Sequence, residues 1–422
     1  MTGHGPDMAD ATTTSFISRT FDRTRLEQAA DWLAVEVVAT MPWSTSVSQV
    51  LTVVWLVALI PTLDVAPVRR ELQSAAGGLP ALLWVLALAG LLWADVPWTE
   101  RIAGLGGFHK LLVIPLLLVQ FRRSERGIYV LAGFLISCVL LLGVSAIVTF
   151  PRFYVSGKMP GIPVRDYIAQ STEFLICAFA LLGFAIGRQR QRQWISAAMA
   201  ALLAGLFLAD IFSVATGRTA LVVIPLLLLA LGFRYFGWRG VLAACLAAIV
   251  IGAAAWVGSP FLRDRVTRSV TEVQDYETRN AISSSGIRLE IWKKSLTFIA
   301  TAPLFGHGTG SIPDQFRRVA VGGGVSGLEA NNPHNQIFAV AIQLGMLGTA
   351  VLIAMWLAHL MLFRGSGLIA WVGIVIVVQN IVSSLFNSHL FDSFHGWLYV
   401  FGLGVVGGMA LRERANDRAG PP

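Results

Sequence analysis

Apolar runs about as long as a bilayer is thick recur from residue 30 to residue 411, and nothing else in the sequence restricts the fold so strongly. A transmembrane helix needs about 20 predominantly apolar residues, with a range of about 17–25. Runs over 30–44, 46–63, 79–94, 102–121, 127–149, 168–187, 194–211, 217–233, 238–257, 334–362, 367–386 and 395–411 predict twelve spans. They are too long and too uniformly apolar for buried strands, and they lack the alternation of a membrane β-barrel. Charged residues make up 13% of the chain, about half the usual share of a soluble domain. The expected fold class is therefore an all-α polytopic integral membrane protein. The first run is the weakest: it is short, contains Glu36 and reaches Pro42, so it also suits an interfacial helix.

Basic residues orient the set. Arg69 and Arg70, the Arg122/Arg123/Arg126 group, Arg188/Arg190/Arg192, Arg234 and Arg239, Arg364, and Arg412/Arg414/Arg418 all fall in alternate connections. The positive-inside rule makes that face cytoplasmic. The polar tail 1–28 and the tail 412–422 fall on the same side, which requires an even number of spans. Nothing in 1–28 resembles a cleaved signal peptide. Nine spans occupy 29–257, a large loop of 258–333 follows on the periplasmic side, and three spans fill 334–411. Cys138, Cys177 and Cys245 all lie in apolar runs, which excludes a disulfide framework and a cysteine metal site.

Loops as long as 258–333 are uncommon without a function. Residues 262–280 read as a charged helix. Gly286 to Ile299 reads as an amphipathic one, with Leu289, Trp292, Leu296 and Ile299 on one face. The loop holds nine Lys/Arg on the face where few are expected, together with seven acids. Local pairing is the plain explanation for many of them. It suits Arg218 poorly, since Asp210 is the nearest acid in sequence. It also suits Lys110 poorly, because an ionisable group inside a span is costly and functional by default. Arg152, Lys158 and Arg165 in the shorter loop 150–167 add to the same face. A cluster of this kind suits a membrane-embedded polyanion, phosphate above all, because the guanidinium fork donates bidentate hydrogen bonds.

Three segments carry motifs: Thr216-Gly217-Arg218; Arg288-x-x-x-Trp292 running on to Pro303-x-x-Gly306-x-Gly308; and Pro333-His334-Asn335 followed by Leu344-Gly345. In this order and spacing the chain resembles the O-antigen ligase and polymerase superfamily, most closely over residues 210–350. The chain length and single large loop look most like the ligases. The resemblance implies a glycosyltransferase that moves O-antigen from undecaprenyl diphosphate onto a hydroxyl of lipid A–core. It implies His334 as general base, Arg288 in catalysis, and Arg218, Arg288, Arg265, Arg165 and Lys110 as candidates for the diphosphate. Asp392 is the candidate to orient the base or bind the acceptor, and His389 and His395 are rival bases. Growing negative charge on a leaving diphosphate is what fixed cations stabilise, and histidine is the usual base for a sugar hydroxyl.

Gly306-x-Gly308-x-Gly310 lacks the strand that a nucleotide loop requires. No metal-binding motif occurs in the outer loops, so a metal-independent enzyme without cofactor is expected, with no nucleic-acid partner. A polymerase extending lipid-linked repeats is the alternative in the same chemical class. A transporter of lipid-linked glycan is the alternative from another class, and internal repeats and midplane polar sites would mark it. Attack by an activated hydroxyl in one displacement would invert the anomeric centre.

Overall fold

The computed structural model describes residues 23–153, 158–215, 217–258 and 260–419. Among the described residues sixteen α-helices follow one another: α1 Arg23–Thr40, α2 Thr45–Leu59, α3 Val65–Gln73, α4 Ala75–Gly90, α5 Trp98–Leu105, α6 Val113–Arg123, α7 Gly127–Val148, α8 Tyr167–Arg190, α9 Trp194–Ser213, α10 Arg218–Gly258, α11 Pro260–Arg279, α12 Ser284–Thr301, α13 Ile312–Arg318, α14 Gln336–Leu362, α15 Leu368–Ser384 and α16 Ser393–Ala419. No strand occurs among the described residues. Among the described residues, seven helices are long and apolar enough to cross a membrane, or up to nine if each of two bent pairs counts as one span.

The helices fill the expected runs, but several are not simple spans. Runs 30–44 and 46–63 become a hairpin, α1 packed on α2. At its base Asp31 accepts from Ser124 (2.7 Å) and Arg126 (3.3 Å). Near its tip the Ala39 carbonyl accepts from Ser137 (2.6 Å), which lies only about 15 Å along α7 from Gly127 at a rise of 1.5 Å per residue. The tip therefore stands opposite the middle of α7. Run 102–121 is broken: α5 and the stretch leading into α6 meet at a 41° bend. α3 and α4 meet at 85°.

α10 covers two expected runs in one element. Gly237 (φ 62°, ψ −147°) interrupts it, and a Cβ on Gly232 would lie 2.4 Å from the Gly240 carbonyl oxygen. Residues eight apart come that close only if the chain reverses, so 218–236 and 238–258 are two antiparallel helices.

Helices approach most closely where glycine removes the side chain, as lipid-embedded packing favours. On α16, a Cβ on Gly404 would sit 2.4 Å from Leu117, and one on Gly408 would sit 2.7 Å from Phe121. One end of the bundle collects Arg122, Arg123, Arg126, Arg188, Arg190, Arg364 and Arg412. The connection holding α11, α12 and α13 lies at the other end, where α14 begins.

Candidate active site at the head of α14

The loop helices form close to where the periodicity places them, with one correction. α12 spans Ser284–Thr301 and buries Ile291, Ser295 and Phe298, whereas Leu296 is 57% exposed. The buried stripe is one residue out of step with the expected one. α13 was not foreseen. It packs Ile312 and Phe316 against Ile291 and Phe298, with the Phe298 and Phe316 rings edge to face at 5.1 Å.

Many loop cations are locally paired. Arg317 meets Glu100 (2.8 Å) and Asp314 (3.5 Å), and Arg318 meets Asp314 (2.7 Å) and Asp95 (3.0 Å). Arg268 meets Asp264 (2.8 Å) and Lys294 meets Glu290 (3.5 Å). Apart from Lys294–Glu290, these pairs have an exposed partner and add little to stability. The Arg317–Glu100 and Arg318–Asp95 pairs seat α13 on the connection between α4 and α5.

The glycine motif is a wedge. Gly345 (φ 63°, ψ −158°) breaks α14 after its third turn. The carbonyls freed there are met by backbone N–H groups: His307 donates to Ile342 (2.8 Å) and Gly308 to Gln343 (2.9 Å). Beyond the break, Met346 donates to Pro303 (2.8 Å) and Leu347 to Leu304 (3.3 Å). Gly306, Gly308 and Gly310 all have positive φ. A Cβ on them would lie 2.5 Å from the Gln343 backbone, 2.4 Å from Ala94 and 2.3 Å from the Glu100 carbonyl. These glycines bring backbone against backbone, and the segment locks the loop onto the bundle. His307 itself bonds the Phe298 carbonyl (2.9 Å) at the end of α12.

His334 stands in the turn before α14 with φ 50°. Asn332 Oδ1 holds this conformation by accepting from the His334 backbone N–H (2.9 Å), and it also accepts from Ser388 Oγ (2.8 Å). Asn335 caps α14, accepting from Ile337 and Phe338, and donates to the Leu385 carbonyl (3.0 Å). The turn is thereby latched to residues 385–390.

The ring has a defined tautomer. His334 Nδ1 is 3.1 Å from Asn387 Oδ1, and that oxygen also accepts from the Ser388 backbone N–H (3.0 Å). Two donors on one atom identify it as the amide oxygen. His334 Nδ1–H is therefore the donor, and Nε2 carries the lone pair. Burial holds His334 below the ordinary imidazole range; the Asn387 hydrogen bond opposes this and the Arg288 charge adds to it. Burial thus favours the unprotonated ring.

Arg288 reaches this neighbourhood because of the Arg-x-x-x-Trp spacing. Residues four apart share a helix face, and Trp292 stands edge-on to Phe338 at 6.1 Å, four residues beyond His334. The Arg288 charge bears on both His334 and His389.

The connection between α15 and α16 gathers the rest. Asp392 Oδ1 caps α16, accepting from Phe394 (2.8 Å) and His395 (3.1 Å), and it meets His395 Nδ1 at 3.2 Å. Burial works to raise the Asp392 carboxyl but is outweighed by these bonds, which hold it well below the usual range. The carboxylate thus orients His395 rather than His334. His395 stacks on His389 with ring centroids 3.9 Å apart. Lys110 Nζ donates to the carbonyls of Phe391 (3.1 Å) and Asp392 (2.6 Å). Arg165 (φ 39°) lies 4.4 Å over the Phe394 ring and donates to the Met41 carbonyl at the hairpin tip. The structure therefore brings His334, Arg288, Asp392, Arg165 and Lys110 to one connection. The side chains of Arg218 and Arg265 lie outside the described residues; the backbone of Arg218 opens α10 beside Gly217, which faces Ser171 of α8. Sequence reasoning missed Asn387 and Ser388 and gave Asn332 no role, because single polar residues in a connection carry no periodic signal.

Were His334 to serve as a base, activity would fall as acid protonates it. Arg288→Gln removes a charge that disfavours protonation, so the pKa of His334 rises. The acid limb of the pH–rate profile is expected to move to higher pH in that variant, alongside its loss of rate. An unmoved limb would separate Arg288 from His334.

These features define a polytopic helical membrane protein with a histidine and several cations gathered at one end of its bundle. Residues 206–353 match the family model described as O-Antigen ligase, which contains all three motif segments. Over that segment, about a third of the chain, the sequence is similar to that family. A Haemophilus influenzae protein described as "Uncharacterized protein" is 28% identical over 137 residues, 31% of this chain and 34% of the relative. The chain thus covers about a third of that relative's length.

Proposed function

We propose that the chain is an O-antigen ligase of the bacterial inner membrane, transferring O-antigen from undecaprenyl diphosphate to a sugar hydroxyl of lipid A–core. The observation that carries this reading is the convergence of an oriented imidazole, His334, with Arg288 beside it, on residues that the family match covers. The orientation reading places this end in the periplasm, with 258–333 as the periplasmic loop and twelve membrane-embedded segments, the first two as a hairpin from the cytoplasmic side.

In the proposed step, the acceptor oxygen attacks the anomeric carbon and its proton passes to His334 Nε2. The bond from that carbon to the diphosphate oxygen breaks, and the electron pair stays on the diphosphate. Arg288, with Arg218 and Arg265 as further candidates, meets the growing charge. Each charge-assisted hydrogen bond contributes about 1.5–3 kcal/mol. Lys110 and Arg165 act one layer back: Lys110 donates to carbonyls of the connection that carries Asp392, and Arg165 stacks on Phe394 while donating to Met41. The displacement inverts the anomeric centre. No group of three or more His, Cys, Asp or Glu side chains able to hold a metal occurs among the described residues.

Transfer is expected to persist in excess EDTA, measured as glycan attached to lipid A–core in proteoliposomes. Loss on chelation with recovery on adding a divalent cation would contradict the metal-free step. A strain lacking the gene is expected to accumulate long lipid-linked polymer. Single repeats attached to core would instead assign the chain to polymerisation.

A further inference from the structure

We propose that the basic end of the bundle, opposite His334, binds an anionic phospholipid with two phosphates, of the diphosphatidylglycerol kind. Two adjoining cavities of about 510 and 330 Å³ share Arg414 and Arg418 of α16. Arg364 lines the larger and Arg122 the smaller. Arg122 is paired with Glu71 (2.7 Å), and Arg414 donates to the Leu362 carbonyl. Arg364 and Arg418 are exposed and form no ion pair among the described residues.

Arg414 and Arg418 stand one turn apart on one helix face, an arrangement that is repulsive unless an anion lies between them. Each cavity has its own additional arginine, so each can take one phosphate, and guanidinium suits that group. The surroundings are those of a lipid rather than a soluble anion. Leu411 and Met361 line the cavities. Ile353, Leu357 and Met361, four residues apart on α14, are 43%, 54% and 53% exposed. They make an apolar stripe leading from the arginines toward the middle of the bundle, where acyl chains would lie. Basic pockets between helices on the cytoplasmic side are suited to such head groups, and the orientation reading puts this end there.

The test is native mass spectrometry with parallel thermal melting of the purified full chain. The probes are diphosphatidylglycerol, phosphatidylglycerol, phosphatidylcholine and inorganic pyrophosphate. We expect one diphosphatidylglycerol retained per chain with a raised melting temperature, and little effect from the other probes. The double variant Arg364→Gln/Arg418→Gln alters exposed side chains only. It is expected to melt normally without lipid and to lose at least tenfold in diphosphatidylglycerol affinity. Equal retention by the variant, or equal retention of phosphatidylcholine, would overturn the site. Stronger binding of phosphatidylglycerol would overturn the two-phosphate assignment. Stabilisation by pyrophosphate without stabilisation by any lipid would assign the pocket to a soluble anion and overturn the proposal.

Discussion

His334→Asn is expected to lower glycan transfer by about 10²–10⁴-fold, the contribution typical of a positioned general base, with melting temperature unchanged. Asparagine is the informative replacement. His334 holds a left-handed backbone (φ 50°), which asparagine adopts more readily than most residues. Loss of activity then reports chemistry rather than a distorted turn. The alternative bases His389 and His395 sit in the same connection, and His395 even has a carboxylate partner. Their Nε2 atoms, however, are sealed from solvent and take no hydrogen bond among the described residues. Burial first, then the His395 charge, holds His389 well below the ordinary range. A sugar hydroxyl has no route to either Nε2 in this arrangement. His395→Asn should therefore act through the capping of α16 and cost less than His334→Asn. If the His334 variant keeps more than about a tenth of wild-type transfer, His334 is not the base.

Gly345→Val is expected to cost several kcal/mol and to prevent recovery of a folded, monodisperse protein. Three effects add. A β-branched residue at φ 63° is strained by about 1–3 kcal/mol. Its Cβ would lie 2.3 Å from the Leu304 carbonyl. Moving that backbone breaks the bonds between 303–308 and 342–347, each contributing about 0.5–1.5 kcal/mol. Whole domains are stable by only about 5–15 kcal/mol. Gly252→Ala on α10 is the control: a Cβ there meets nothing within 4 Å, so its melting should match the wild type. A Gly345→Val protein that melts like the wild type would mean that the break in α14 does not anchor the loop.

The same break bears on the transporter reading. A discontinuous helix can offer freed carbonyls to a coupling ion. In α14 those of Ile342 and Gln343 are already taken by His307 and Gly308. The interruption thus engages both carbonyls in positioning the loop.

The sequence made the class legible because a bilayer demands long apolar helices, and those leave an unmistakable record. It also showed the three motif segments, since Arg288, His334 and the glycines fall where local geometry requires them. The bends did not show. Hydropathy measures length and polarity, so a hairpin such as α1–α2 reads like two spans, whereas the reversal at Gly237 falls in the connection expected between the runs 217–233 and 238–257. Partnering was equally hidden. Arg317 and Lys294 look alike as unpaired cations on a string of letters, yet the fold pairs the first with Glu100 and the second with Glu290. Lys110 read as a buried charge awaiting a ligand, and the fold gives its ammonium two carbonyls of the connection that holds Asp392.

As proposed, this chain alone joins a lipid-linked glycan to lipid A–core. Purified protein in proteoliposomes, given undecaprenyl-diphosphate-linked glycan and lipid A–core without ATP or an ion gradient, tests it directly. Lipid A–core is expected to gain the mass of the glycan, with undecaprenyl diphosphate released, and the His334→Asn variant is expected to give no such product. Unchanged lipid A–core with the wild-type protein, or glycan moved across the bilayer still bound to its lipid, would contradict it.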